Sequence, residues 1–327
     1  MLTFFRTNQP LANIFLLAYL GIVRLSTFIH PLPIVPKSQG ILTQWMYVDL
    51  NPIGFWGNFA AFFLVFVQAV FINITMSRYR VSSEISLLPG LFYCLITAIL
   101  PDFLTLSSAL LANTFLILAL FYLFEVYKNS YVAPRIFDVG FWIGVASLFH
   151  CSYILFVICG IVGLGILRGL RLKELLMFLI GVLVPFFLFG VYLFWNDKLY
   201  YLPKHFSDNL SFFSFVHYTN PAVYLKLGIM GLLISIALLV YGQFLSKRSI
   251  ATQKFLSCIY WMLLVGGITT LFQSGVDINH LLVVSVPLSI LLSMLFQRIG
   301  IATAEVFHML LLGIALIFQF EYLLAGQ

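Results

Sequence analysis

Runs of about twenty residues with almost no charge recur along this chain, and they restrict its possible folds more than any other feature. A segment of that length is what an α-helix needs to cross the hydrocarbon core of a bilayer. Hydrophobic residues make up 62% of the 327 residues and charged residues only 9%, which leaves no stretch for a soluble domain. The sequence therefore predicts an all-α, polytopic membrane helix bundle forming one integral membrane domain over residues 1–327.

The apolar runs, separated at polar breaks, predict about eleven transmembrane helices. The first run lacks a lysine-rich start and a small-residue cleavage site, so we expect an uncleaved first span. The predicted spans cover residues 11–30, 55–76, 85–101, 107–127, 137–150, 152–167, 174–195, 222–245, 255–272, 281–297 and 303–322.

The basic residues predict the orientation of these spans. With a cytoplasmic amino terminus, twelve of them fall on the inner side, and the outer side has only Lys37, Lys198, Lys204 and Lys226. We expect a bacterial cytoplasmic membrane protein whose amino terminus is cytoplasmic and whose carboxyl terminus is periplasmic. The net charge of +6 follows from this topology and does not indicate binding to nucleic acid.

Two interruptions and one glycine pair indicate how the helices meet. Pro101 with Asp102 predicts a tight turn between the third and fourth spans, and a helix break is expected near His150. Gly140 and Gly144 lie four residues apart, which predicts a smooth face for a closely packed neighbouring helix. The four cysteines lie in apolar segments without C-x-x-C spacing, so we expect them to be packing residues.

Nearly all histidines fall on or near the predicted outer face, together with several aspartates, whereas most glutamates lie at inner ends beside basic residues. Asp277 and His280 are three residues apart and can touch on one helical face, where the carboxylate would favour a cationic imidazole suited to a phosphate. Asp277 can equally cap the helix that follows. Arg24 lies within the first span and needs either a snorkelling route to the headgroups or an anionic partner.

Asp49 is the only acid of the first outer loop, in the stretch TQWMYVDLNPIGFW. It can cap the next helix, accept a proton from an acceptor hydroxyl or amide, or hold a divalent cation beside a phosphate. The aromatic residues around it are also typical of a loop that lies in the membrane interface.

The layout, with Asp49 in an outer loop after one span and NHLLVVSVPLSILLS late in the chain, resembles the GT-C superfamily of glycosyltransferases that use polyprenyl-phosphate sugars. In that late segment a basic residue precedes an apolar run with proline, here His280 and Pro287. The opening MLTFFRTNQPLANIFLLAYLGI is also similar to an uncharacterised family of integral membrane proteins from Bacteroidota.

The GT-C resemblance implies a transferase at the outer face of the inner membrane, with Asp49 as the catalytic residue. The expected lipid-phosphate ligands are Arg24, His150, Lys204, His205 and His280, supported by Asp102 and Asp277. Membrane lipids and a polyprenyl-phosphate sugar are the expected partners, and a divalent cation is a candidate cofactor.

The chain departs from that pattern, because it has one outer-loop acid instead of a pair, His280 where an arginine is expected, and no large outer domain. These departures leave open a GT-C-like scaffold that has lost catalysis, or a non-enzymatic subunit of a membrane secretion or envelope-biogenesis complex. A transporter is the least favoured alternative, since few polar residues lie at mid-depth.

Overall fold

The structure is a computed structural model that describes residues 2–6, 10–29, 40–50, 54–82, 85–129, 131–209, 221–240, 242, 248–272 and 278–320. Within these residues every regular element is a helix, and no strand is present. The predicted all-α class is confirmed. It follows from the composition, because a chain surrounded by lipid must satisfy its backbone polar groups within each segment.

The described α-helices are numbered here in chain order. They are α1 Leu2–Phe5, α2 Pro10–Val23, α3 Leu25–Ile29, α4 Ile41–Leu50, α5 Phe55–Arg78, α6 Leu88–Ile99, α7 Ser108–Glu125, α8 Ala133–Phe149, α9 Phe156–Arg168, α10 Leu172–Trp195, α11 Tyr201–Asn209, α12 Pro221–Leu239, α13 Ile250–Thr269, α14 Ser285–Arg298 and α15 Ile301–Gln319.

Seven helices in the described part of the chain are long and apolar enough to cross a membrane, so the protein is a multi-pass membrane protein. They are Phe55–Arg78, Ser108–Glu125, Cys151–Arg168, Leu172–Trp195, Ile250–Thr269, Ile278–Arg298 and Ile301–Gln319. Three shorter apolar helices are Asn13–Val23, Leu88–Ile99 and Val223–Leu239. Each of the eleven predicted spans contains a helix, and seven of those helices are long and apolar enough to cross a membrane.

Among the described residues, three short 3₁₀ segments precede spans, and they lie at Pro101–Leu104, Cys151–Leu155 and Ile278–Val284. The first two occur at the predicted breaks, because Leu100 and His150 both have extended backbones that end the preceding helix. Pro287 falls in the first turn of α14, where a missing N–H removes no intrahelical hydrogen bond. The proline therefore begins a helix and does not break one.

The centre of the bundle is formed by α6 and the span Ile278–Arg298. Every residue of α6 is buried, and 83% of that span is buried within the protein. By contrast α10 and α15 are each 22% buried, as expected for helices that face lipid. All four cysteines are buried and free, so their expected role in packing is confirmed.

Helices α8 and α10 pack closely against each other, and glycines allow it. A Cβ atom added to Gly140 would overlap the carbonyl oxygen of Phe178, and one added to Gly144 would lie 2.6 Å from the carbonyl oxygen of Val182. Gly181 of α10 approaches the carbonyl oxygen of Phe137 in the same way. The predicted packing role of Gly140 and Gly144 is confirmed, since only hydrogen fits between the two backbones.

We expect Gly140→Ala to separate α8 from α10 and to lower the free energy of unfolding by about 1–3 kcal/mol, because the new methyl group meets backbone that cannot turn away. Thermal unfolding in detergent measures this as a lower midpoint. Gly190→Ala is the matched control on α10, since its Cβ would have no heavy atom within 4 Å. Equal midpoints for the two variants would contradict the packing role.

Candidate functional site

Two histidines that are 130 residues apart in sequence meet beside two 3₁₀ segments that lead into spans. His150 lies between the end of α8 and the segment Cys151–Leu155, and His280 lies in the segment Ile278–Val284. Their ring centroids are 5.6 Å apart, and the residues are 1% and 2% exposed. His150 Nδ1 lies 2.9 Å from Ser108 Oγ at the start of α7. We call His150 and His280 the histidine pair.

An imidazole N–H group can donate a hydrogen bond to an anion such as a phosphate or a carboxylate. Ring centroids 5.6 Å apart are close enough for both rings to contact one such group. The histidine pair is therefore a candidate anion-binding site.

The helix that carries Asp49 packs against the same end of the bundle. In α4, Thr43 Oγ1 donates a 2.7 Å hydrogen bond to the carbonyl oxygen of Phe149, the residue before His150. Tyr47 OH donates a 2.8 Å bond to the carbonyl oxygen of Leu106, just before α7. Asp49 lies in the last turn of α4, and its side chain lies outside the described residues.

The N-cap position of α5 is occupied by Gly54, with φ 104°, and not by Asp49. This backbone conformation favours glycine, because L side chains rarely adopt it. The outer loop that was expected to lie in the interface is therefore partly a ten-residue helix, Ile41–Leu50, held by two side-chain bonds to neighbouring backbone.

The other predicted residues are distributed around this end. Asp102 is half-buried in the segment Pro101–Leu104, which contacts the segment of His280. Lys204 is exposed on α11, which contacts the segment Cys151–Leu155. The side chain of His205, on the same helix, lies outside the described residues, as does all of Asp277.

Three polar residues, Asn113, Tyr153 and Ser285, form hydrogen bonds next to the histidine pair. None of them was among the predicted site residues. Asn113 Nδ2 lies 3.1 Å from both the carbonyl oxygen of Leu282 and Ser285 Oγ, and its Oδ1 accepts a 2.7 Å bond from Tyr153 OH. An amide within an otherwise apolar span was the available sequence signal at Asn113. Its partners are separated from it by up to 172 residues, which no local pattern reveals.

Arg24 is placed differently from the other predicted ligands. It is 1% exposed, and its guanidinium is turned into the protein. Nη1 donates a 3.0 Å bond to the carbonyl oxygen of Leu104, and Nη2 donates bonds of 3.0 Å and 3.3 Å to those of Thr97 and Phe103. These acceptors lie in the last turn of α6 and in the 3₁₀ segment after it, where a cation also complements the helix dipole.

Replacement of Arg24 separates a backbone role from a phosphate-binding role. We expect both Arg24→Met and Arg24→Lys to lower the thermal unfolding midpoint, because neither side chain reaches acceptors on both sides of the break as the forked guanidinium does. Each buried carbonyl left without a donor costs about 1–3 kcal/mol.

The control for that experiment is Lys226→Met on α12, which also removes one positive charge. A midpoint for Arg24→Lys equal to that of the unchanged protein would contradict the backbone role, since it would show that charge alone is sufficient.

The described residues contain no group of three or more His, Cys, Asp and Glu side chains that could hold a metal ion. The side chains of Asp49 and Asp277 are not part of that set.

Comparison of the chain with protein-family models, with curated proteins and with solved structures finds no match. Its function is accordingly inferred from the residues and geometry of the site.

Proposed function

We propose that the chain is a GT-C-like glycosyltransferase of the bacterial inner membrane that takes a sugar from a polyprenyl-phosphate donor at the outer face. The observation that carries the proposal is the position of the Asp49 helix on the backbone next to the histidine pair. A carboxylate and a phosphate-binding group at one site are what such a transfer requires.

In the proposed reaction, the acceptor oxygen or nitrogen forms a bond to the anomeric carbon of the sugar while the bond from that carbon to the donor phosphate breaks. Asp49 accepts the proton that the acceptor loses. The histidine pair stabilises the negative charge that develops on the departing polyprenyl phosphate, with Lys204 and His205 of α11 adding positive charge. Asp102 and Asp277 support the pair.

The proposed topology has eleven crossings and a cytoplasmic amino terminus. Together with α8, the three shorter apolar helices bring the seven long ones to that number. Of these, α6 covers about 18 Å, and the segment Pro101–Leu104 adds about 8 Å, which approaches the thickness of the hydrocarbon core. The excess of basic residues in the predicted inner loops supports the orientation.

Cysteine labelling in intact cells tests this topology. We expect Lys204→Cys to react with a membrane-impermeant maleimide from outside and Lys128→Cys to react only after permeabilisation, since both positions are exposed on opposite predicted faces. The four native cysteines are buried, which keeps the background low. Labelling of Lys128→Cys in intact cells would contradict the proposed orientation.

Transfer of radiolabelled sugar from polyprenyl-phosphate donors, measured in membranes, tests the activity. We expect Asp49→Asn to reduce transfer by a factor of about 100 or more through loss of the general base, and His280→Gln to weaken binding of the donor. Asp138→Asn is the matched control, because Asp138 pairs with Arg135 within α8 and lies at the predicted inner end. An unchanged yield with Asp49→Asn would contradict the assignment of the base.

The burial of the histidine pair favours a second candidate function, a non-enzymatic subunit of a secretion or envelope-biogenesis complex. A closed outer site is what that function predicts. Wild-type product yield from Asp49→Asn, together with a membrane protein that co-purifies in mild detergent, would support the subunit over the enzyme.

A further inference from the structure

Asn113 is the side chain to which the two 3₁₀ segments of the candidate site are both bonded. It lies on α7, is 0% exposed, and accepts a 2.7 Å bond from Tyr153 OH of the segment Cys151–Leu155. It donates to the carbonyl oxygen of Leu282 in the segment Ile278–Val284 and to Ser285 Oγ at the start of α14, both at 3.1 Å. One amide therefore joins the backbone that carries His150 to the backbone that carries His280.

These bonds are close to the histidines in sequence. Tyr153 is three residues after His150, and its N–H donates to the carbonyl oxygen of His150 at 3.0 Å. Leu282 is two residues after His280, and Ser285 Oγ donates to the Leu282 carbonyl oxygen at 2.6 Å. Short 3₁₀ segments have poorer hydrogen-bond geometry than α-helices, so a side-chain anchor contributes more to their position.

We propose that Asn113 is a positioning residue that sets the separation of the histidine pair by holding both 3₁₀ segments to α7. Its oxygen fixes the His150 side through Tyr153, and its NH₂ group fixes the His280 side through Leu282 and Ser285. The consequence for sugar transfer rests on the proposed function, whereas the effect on the two rings does not.

Asn113 accepts a hydrogen bond from Tyr153 and donates hydrogen bonds to Leu282 and Ser285, so different variants can remove the bonds on each side. Tyr153→Phe removes the donor to Asn113 Oδ1, together with the 3.1 Å bond from Tyr153 OH to the carbonyl oxygen of Ala109, and leaves both bonds from the NH₂ group. Ser285→Ala removes an acceptor of the NH₂ group and also the donor that reinforces Leu282. Asn113→Leu removes all three bonds of the amide at nearly the same volume.

Nuclear magnetic resonance of the full chain, labelled with ¹³C at the histidine rings and reconstituted in nanodiscs, measures the effect directly. The chain has six histidines, and single His→Gln variants assign their signals. We expect Tyr153→Phe to shift chiefly the His150 signal, Ser285→Ala to shift chiefly that of His280, and Asn113→Leu to shift both. The signal of His308, which contacts Tyr19 on α2, is expected to remain in place.

Asn58→Leu is the matched control, because it removes a buried amide that donates to the carbonyl oxygen of Thr27 and to neither 3₁₀ segment among the described residues. A general loss of packing would move the His308 signal as well, and the control would then resemble Asn113→Leu. Signals of His150 and His280 that stay in place in Asn113→Leu would overturn the proposal.

The sugar-transfer assay is a second test of the positioning role of Asn113. We expect Asn113→Leu to reduce transfer by a factor of about 100, as misplacement of a binding group by about 1 Å does. If the protein transfers no sugar at all, the proposed function fails, while selective shifts of the two ring signals still support positioning. If it transfers sugar and Asn113→Leu does so at the wild-type rate, positioning for transfer is overturned and the proposed function stands.

Discussion

A carbonyl group that is released where a helix breaks inside a membrane must find a donor within the protein, and this requirement organises the structure. Water is not present in the hydrocarbon core to replace the lost bond, so each unmet group costs several kcal/mol. Arg24 supplies three donor bonds where α6 gives way to the segment Pro101–Leu104, and Asn113 supplies one to Leu282. Breaks in the helices and buried polar side chains therefore occur together.

The same rule accounts for other polar residues within the spans. Gln319 donates to the carbonyl oxygens of Val23 and Ala98, and Gln68 donates to that of Leu110. Each of these amides links helices that are far apart in sequence, and Gln68 also accepts a bond from Tyr93 OH. Polar groups at mid-depth can suggest a path for a solute, but the contacts of these residues are those of anchors for backbone.

This rule also decides what the sequence could reveal. Apolar runs located a helix in each predicted span, and proline with a following aspartate located the break at residue 101, because both signals are local. The bonds of Arg24 could not be predicted, since its acceptors are backbone carbonyls, which every residue has. The contact between His150 and His280 was equally hidden, because it depends on two 3₁₀ segments that are distant in sequence meeting in space. Sequence analysis grouped these histidines by side of the membrane and could not place them within reach of each other.

The backbone next to His150 is held from two sides. On one side, α8 is fixed against α10 by backbone approaches at Gly140, Gly144 and Gly181. On the other side, α4 is held by side-chain bonds from Thr43 and Tyr47 and by a backbone approach at Gly40, where an added Cβ atom would overlap the carbonyl oxygen of Phe149. A change in the position of α4 therefore acts directly on the residue before His150. Because α4 also carries Asp49, the placement of that residue and the placement of His150 are physically coupled.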